Sequence, residues 1–236
     1  MAISYGVGPA TGVNSCSGGS SSNGTLSMAL PTSWAADQFA LMAIYLDQGT
    51  ASTPTDWTPV SGNPFGSGTT KQYLFWKFLV TGETDPVLST IAGSGTNLVN
   101  VGNIWTYNNV DRELPIEVLS ANVTGTGTPA TALSITTLTR DAWVVFIVGR
   151  GDNDNTWTTL TLGGSGTGIV SRFIAGSSAG SDGEIGVFDK PIAGAPAASG
   201  NASAAVAVTD PRESILIALR EQQTKFVSCY YTAVPA

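Results

Sequence analysis

The sequence predicts an all-β protein: a two-sheet β-sandwich of jelly-roll type, with about eight core strands supplied by two copies of one unit. Three observations point there. Residues 141–157 (DAWVVFIVGRGDNDNTW) follow the plan of residues 37–57 (DQFALMAIYLDQGTASTPTDW): an Asp, an apolar run, a Gly, a polar loop, then Trp-Thr. The 28 glycines cut the chain into short segments bounded by turn residues. The apolar runs between them are rich in β-branched and aromatic residues and show no sustained helical period.

Taken in order, residues 1–24 are Gly-, Ser- and Asn-rich, too poor in large apolar side chains to build a core of their own, and read as an arm or linker. A short apolar run and a turn around Pro31 follow. Residues 39–46 (FALMAIYL) are almost continuously apolar, which predicts a strand covered on both faces. The loop 47–56 contains Pro54 and ends at DWTPV. After a second turn-rich stretch, SGNPFGSGTT, residues 71–80 (KQYLFWKFLV) predict a strong strand, 81–86 a turn, and 100–107 (NVGNIWTY) another strand closed by 108–111. Residues 112–139 form a bridge with an edge strand over 132–138.

The second copy repeats the order. Residues 143–148 answer 39–46, and 155–158 answer 55–58. The GGSGTG loop at 163–168 answers 66–69, 186–192 answer 75–79 with Lys190 against Lys77, Gly194 answers Gly82, and 214–219 answer 103–107. Four strands per copy, with no other layer to cover them, must pair their apolar faces into one core. That gives one domain over 25–221, with copies at 34–111 and 138–221. The tail 222–236 has no place in the repeat, and its apolar, strand-favouring Phe226, Val227, Tyr230 and Tyr231 are expected to dock on a neighbouring subunit.

Composition narrows the function. Charged residues are only 11 %, against about 25 % in ordinary globular proteins, so Ser, Thr, Asn and Gly cover the surface. This suits a protein packed among neighbours or one that touches sugars. Seventeen acidic against ten basic residues give a net charge of −7, which repels phosphate backbones and speaks against nucleic-acid binding. Neither a signal peptide nor an apolar run of the ~20 residues that span a bilayer is visible, so a soluble product made without a classical secretion signal, and no membrane partner, are expected. Cys16 and Cys229 lie near opposite ends. Three states stay open for them: two free thiols, a disulfide to a neighbouring subunit, or one closed within the chain.

No cofactor is expected. With no His and only two Cys, a zinc site and Ser-His-Asp or Cys-His catalysis have no ligands or base to use. A glycosidase needs only two carboxylates, and the candidates are Glu83, Asp85, Glu113, Glu117, Asp152, Asp154, Glu184 and Asp189; nearly all stand beside Gly, Pro or Asn in predicted turns, where acids serve the backbone. Asp152-Asn153-Asp154-Asn155 resembles part of a calcium loop but lacks its Gly and distal Glu. The Gly163 loop lacks the Lys-Ser/Thr of a phosphate loop. Trp76, Trp105 and Trp143 fall inside strands and read as core, whereas Trp57 and Trp157 recur just after a loop. They are placed either to pack beneath it or to offer a ring platform to a sugar.

The pieces ADQFALMAIYL, PTDWTPV, YLFWKFL, IWTYNNVD, NTWTTL and SILIALRE, spread over residues 34–221, resemble a group of β-sandwich modules in tailed-phage virion proteins and some bacterial surface proteins. Their pattern runs from an apolar strand through P-x-GWT, an aromatic Y-x-K strand and a Y-R-G-V-D-like turn to a second WT element and a strand ending ALR. Asp56 stands where that pattern has Gly, and Asn108-Asn109 where it has Arg-Gly. The pattern carries no catalytic residues. The resemblance implies a non-enzymatic virion component: a capsid decoration protein, or part of a neck, collar or tail sheath. Such a component is made in the host cytoplasm and assembles through its termini with other virion proteins and copies of itself. The alternative is a carbohydrate- or receptor-binding module of a phage fibre, meeting host surface glycan through Trp57 and Trp157.

Overall fold

The computed structural model describes residues 2–9, 14–18, 24–47, 49–66, 68–91, 98–151, 157–163, 168–177, 183–206 and 209–223. Among them there is no helix. The first copy contains β1 (Ser4–Tyr5), β2 (Asn14–Gly18), β3 (Gly24–Ser27), β4 (Phe39–Asp47), β5 (Thr50–Ala51), β6 (Thr58–Pro59), β7 (Thr70–Phe78), β8 (Val87–Ile91) and β9 (Leu98–Asn108). The second contains β10 (Ile116–Leu119), β11 (Val123–Gly125), β12 (Ala130–Ala132), β13 (Ala142–Arg150), β14 (Thr158–Leu162), β15 (Val170–Ser177), β16 (Gly183–Ile192), β17 (Ala202–Ala205) and β18 (Arg212–Leu219).

The duplication is complete at the level of pairing. In the first copy a large sheet has the order β1-β9-β4-β7-β6, with β2 also on β9, and a small sheet the order β3-β8-β5. Adding nine to each strand number gives the second copy: β10-β18-β13-β16-β15, with β11 also on β18, and β12-β17-β14. Every ladder is antiparallel. The large sheets face each other, β13 over β4, β16 over β4 and β9, β15 over β9 and β18 over β7, as an approximate two-fold axis requires.

Three cores result, and they explain the apolar runs. Phe39, Leu41, Ala43 and Tyr45 of β4 enter a central core with Val145 and Ile147 of β13. The alternate residues Ala40, Met42, Ile44 and Leu46 turn outward to Met28, Leu30 and Leu88 beneath the first small sheet. In β13, Val144, Phe146 and Val148 turn outward to Ala130, Ala132, Ala202 and Ala204 of the second. Strand side chains alternate faces, so an inner strand buried on both must be apolar throughout, as residues 39–46 suggested. The layers stack small, large, large, small.

Several expectations need correction. The all-β sandwich of two repeats is present as expected, but each large sheet has six strands and a second layer within its own half, so the stack holds three cores. The edge strand expected at 132–138 is confined to Ala130–Ala132. The N-terminal stretch does not stand apart as an arm over its described residues: β1 and β2 extend the ladder of β9, and Ile3 enters the central core at 3 % exposure. The Trp-Thr corners keep their core but not their strand: Thr58 opens β6 of a large sheet, whereas Thr158 opens β14 of a small one. The Trp is tied to the outer core of its half, and the polar loops around it differ in length.

The Asp that opens each copy has a physical role. Asp37 and Asp141 adopt φ of 70° and 54°, a left-handed conformation that Asp tolerates better than most residues. Asp141 also bonds Gly194 twice, its amide donating to the Gly194 carbonyl at 3.1 Å and its carboxylate accepting from the Gly194 amide at 2.7 Å.

At one point the symmetry breaks by size. Tyr45 and Gly149 hold matching places on β4 and β13, and a Cβ on Gly149 would lie 2.5 Å from the Tyr45 ring. One copy supplies the ring and the other the space. Gly149→Val is expected to destabilise the protein by about 1–3 kcal/mol through overpacking. In urea denaturation, Tyr45→Ala should offset part of that loss, making the double variant less than additive.

Candidate functional site

Two sites form where the large sheets meet, one along each side of the sandwich. On the first side, β15 lies over the edge that β1 extends. Arg172 Nε donates to Asp189 Oδ1 at 2.7 Å and the Tyr107 hydroxyl donates to Asp189 Oδ2 at 2.9 Å. The Arg172 guanidinium lies 4.4 Å from the centre of the Tyr5 ring, which meets Tyr107 edge-on at 5.6 Å. The Asp189 side chain is fully buried. A buried carboxylate is tolerated only when paired and hydrogen-bonded; here one partner comes from its own sheet and the other from the opposite copy. Burial pushes Tyr5 up to about 12, the Arg172 charge holding it back in part. Burial, reinforced by the Asp189 charge, pushes Tyr107 well above the ordinary tyrosine value.

On the other side the seam is an open groove. Gly62, Pro64, Phe65 and Gly66 of the first copy face Leu119, Ser120, Asn122 and Thr124 of the second across ≈ 440 Å³. At Leu119 it meets a second hollow of ≈ 260 Å³ walled by Val60, Trp76, Leu114 and Ile116. Among the described residues that line it, Glu113 alone carries charge. Beneath the groove Glu213 is fully buried and accepts from Thr70 Oγ1 at 3.0 Å, Asn122 Nδ2 at 2.6 Å and Thr124 Oγ1 at 2.8 Å. Gly66 allows this, since a Cβ there would lie 2.6 Å from the Glu213 carboxyl carbon. With three neutral donors on it, Glu213 acts as a polar pin between the copies.

The candidate acids go to separate structural duties. Glu83 pairs with Lys77 at 2.8 Å and Glu184 with Arg150 at 3.0 Å, the latter pair fully buried. Asp85 accepts from the Leu30 amide at 2.8 Å, and Glu117 accepts from the Leu138 amide and the Thr139 hydroxyl at 2.8 and 2.6 Å. Glu113 is exposed beside the groove. Asp152 and Asp154 lie outside the described residues, as does 164–167 of the Gly loop. No group of three or more His, Cys, Asp or Glu side chains is placed to hold a metal among the described residues.

Trp57 and Trp157 are buried at 5 % and 8 % exposure. Lys77 Nζ lies 5.9 Å from the centre of the Trp57 ring; the Trp157 ring has the Arg150 guanidinium at 4.9 Å and Phe188 edge-on at 6.2 Å. Both rings are buried and, among the described residues, present no open face for a sugar. Cys16 has its backbone in β2 opposite Asn100. Cys229, Phe226, Val227, Tyr230 and Tyr231 lie outside the described residues. Glu213, Arg172 and the groove escaped sequence reading, because their partners are distant in the chain.

No protein-family model, curated protein or solved structure matches this chain.

Two outcomes follow from the buried network. Asp189→Ala leaves Arg172 without its counter-charge and should cost about 3–5 kcal/mol in denaturant unfolding. The raised tyrosines make the fold alkali-sensitive. Below the ordinary value of 10.0 both states keep the phenol proton and these groups add no pH dependence. Above it the unfolded chain loses protons that the folded chain retains, so stability falls as pH rises toward about 12. Among the described residues the Tyr5 hydroxyl has no hydrogen-bond partner. Tyr5→Phe should therefore be nearly neutral at pH 7 and flatten the alkaline decline, as read by tryptophan fluorescence.

Proposed function

We propose that this protein is a non-enzymatic structural component of a tailed-phage virion, joined to its neighbours through its termini. The observation that carries the reading is the use of its carboxylates. Glu83, Asp85, Glu117, Glu184, Asp189 and Glu213 are each engaged in holding strands, turns or the two copies together. A carboxylate pair that cleaves a glycosidic bond must instead flank one substrate site together, whereas these acids serve separate places in the fold.

The resemblance to virion modules gains support at its departures. Asp56 and Asn109, which stand where that pattern has Gly, adopt φ of 63° and 59°. Both positions need the left-handed backbone that Gly takes freely and that Asp and Asn tolerate. The substitutions therefore preserve the turns. The sparse charge of the surface and the apolar residues 226–231 fit a chain packed among others.

A second reading, a glycan- or receptor-binding module, draws on the seam groove. Its ring and aliphatic walls, Phe65, Trp76, Leu119 and Ile116, offer the stacking surface that a sugar uses. Under this reading the contact residue is Trp76 in place of Trp57 or Trp157.

Peptide mass spectrometry and immunogold labelling of purified particles should find the chain on the virion, and deletion of residues 224–236 should keep it off. A non-reducing gel of those particles should show a Cys16- or Cys229-linked species if the termini crosslink subunits. Release of reducing ends from a polysaccharide panel would sink the structural reading. Glycan-array binding lost in a folded Trp76→Ala variant would favour the second.

A further inference from the structure

We propose that the outer edge of β9 is a strand-acceptor site with a second occupant: residues 225–232 of the same chain, which take the place β1 holds in this structure. The inference deepens the role given above to the termini, but it rests on the internal symmetry and holds whether or not the chain belongs to a particle.

The first copy shows the route. Tyr107 at the end of β9 pairs with Phe39, and Leu219 at the end of β18 pairs with Trp143, so the two residues occupy matching places. Beyond Tyr107 the chain crosses to the other copy and, nine residues on, sets Ile116 opposite Leu219. Val118 and Leu119 then pair with Ala218 and Ile217. In this way each copy can hand a strand to the edge of its partner.

The second copy starts along the same course. The two exits run antiparallel across the axis: Asp111 N donates to Arg220 O at 2.9 Å, Gln222 N donates to Asn109 O at 2.8 Å, and Val110 bridges Glu221. Nine residues beyond Leu219 is Ser228. Continued along the path its counterpart takes, the tail sets Ser228 opposite Tyr107, with Tyr230 and Tyr231 opposite Thr106 and Trp105. The strand-favouring Val227, Tyr230 and Tyr231 suit that edge.

The N-terminus is already there. Ser4 and Tyr5 pair with Asn108 and Tyr107. Gly6 N donates to Thr106 O at 2.8 Å, Val7 N to Thr106 Oγ1 at 2.8 Å, and Thr106 N to Val7 O at 3.0 Å. This ladder is short and depends on Gly6, where a Cβ would strike Thr106 Oγ1. Seating the tail there must replace these bonds together with the burial of Ile3 and the contacts of the Tyr5 ring. Only one terminus can be seated at a time, so the seating of one releases the other.

Hydrogen exchange read by mass spectrometry tests this on the full chain. In Gly6→Val, which ejects β1, amides at 225–232 should exchange about tenfold slower than in Gly6→Val/Tyr230→Pro, whose edge bond is removed. Equal rates in the two variants, with β4 and β13 still protected, would overturn the proposal. A slowing that grows with protein concentration would overturn the same-chain assignment in favour of a neighbour's tail. The unaltered chain gives a second measurement that needs no variant to fold. A synthetic peptide of residues 222–236 should speed exchange at Gly6 and Val7 by displacing β1, and no change on saturating addition would count against the site.

Discussion

The two six-stranded sheets are apolar on both faces, and each must be covered twice. Leu41, Ala43 and Tyr45 on one face of β4, with Met42, Ile44 and Leu46 on the other, leave that strand no side that water can occupy. Each fully buried side chain of this size contributes about 1.5–3 kcal/mol. The gain is realised only if a layer lies above and another below. The opposite copy supplies one and the small sheet of the same half the other. The stack of four layers is the solution the sequence has available.

Within that stack the copies are joined by unlike contacts. Tyr45 fills the space that Gly149 leaves, and buried carboxylates act as pins on either side. Asp189 draws Tyr107 from across the interface, and Glu213 draws Thr70. Hydrophobic contact alone is tolerant of sliding between sheets, whereas a buried carboxylate with fixed partners is not. These groups fix the register of one copy on the other. That accounts for charge being invested in the interior of a protein that uses little of it.

The same symmetry gives the chain ends their meaning. Each copy sends the segment after its last strand toward its partner, and the first copy completes the exchange through β10 and β11. For the second copy the corresponding edge already carries β1. Under the exchange proposed above, the chain would choose which end to present to its surroundings. Such a choice suits a component that joins neighbours, and a body whose acids are committed to holding its strands suits the same role.

Much of this was legible in the chain. The inner strands announced themselves because burial on both faces demands unbroken apolar runs, and the duplication showed in the order Asp, apolar run, Gly, Trp-Thr. The conformational demands at Asp37 and Asp141 lie behind the repeated Asp. The outer sheets were not legible. Strands such as ATA at 130–132 and ASAA at 202–205 are composed of small residues because they press against Phe146 and Phe188, and small residues between glycines carry little periodic signal. The groove, the Asp189 and Glu213 networks and the shared edge of β9 each join separate segments of the chain, as Tyr107 and Asp189 do at a separation of 82. Sequence alone determined which strands must be buried, since that is a property of each segment. Tertiary structure decided what covers them and which acids meet, since that is set by how distant segments pair.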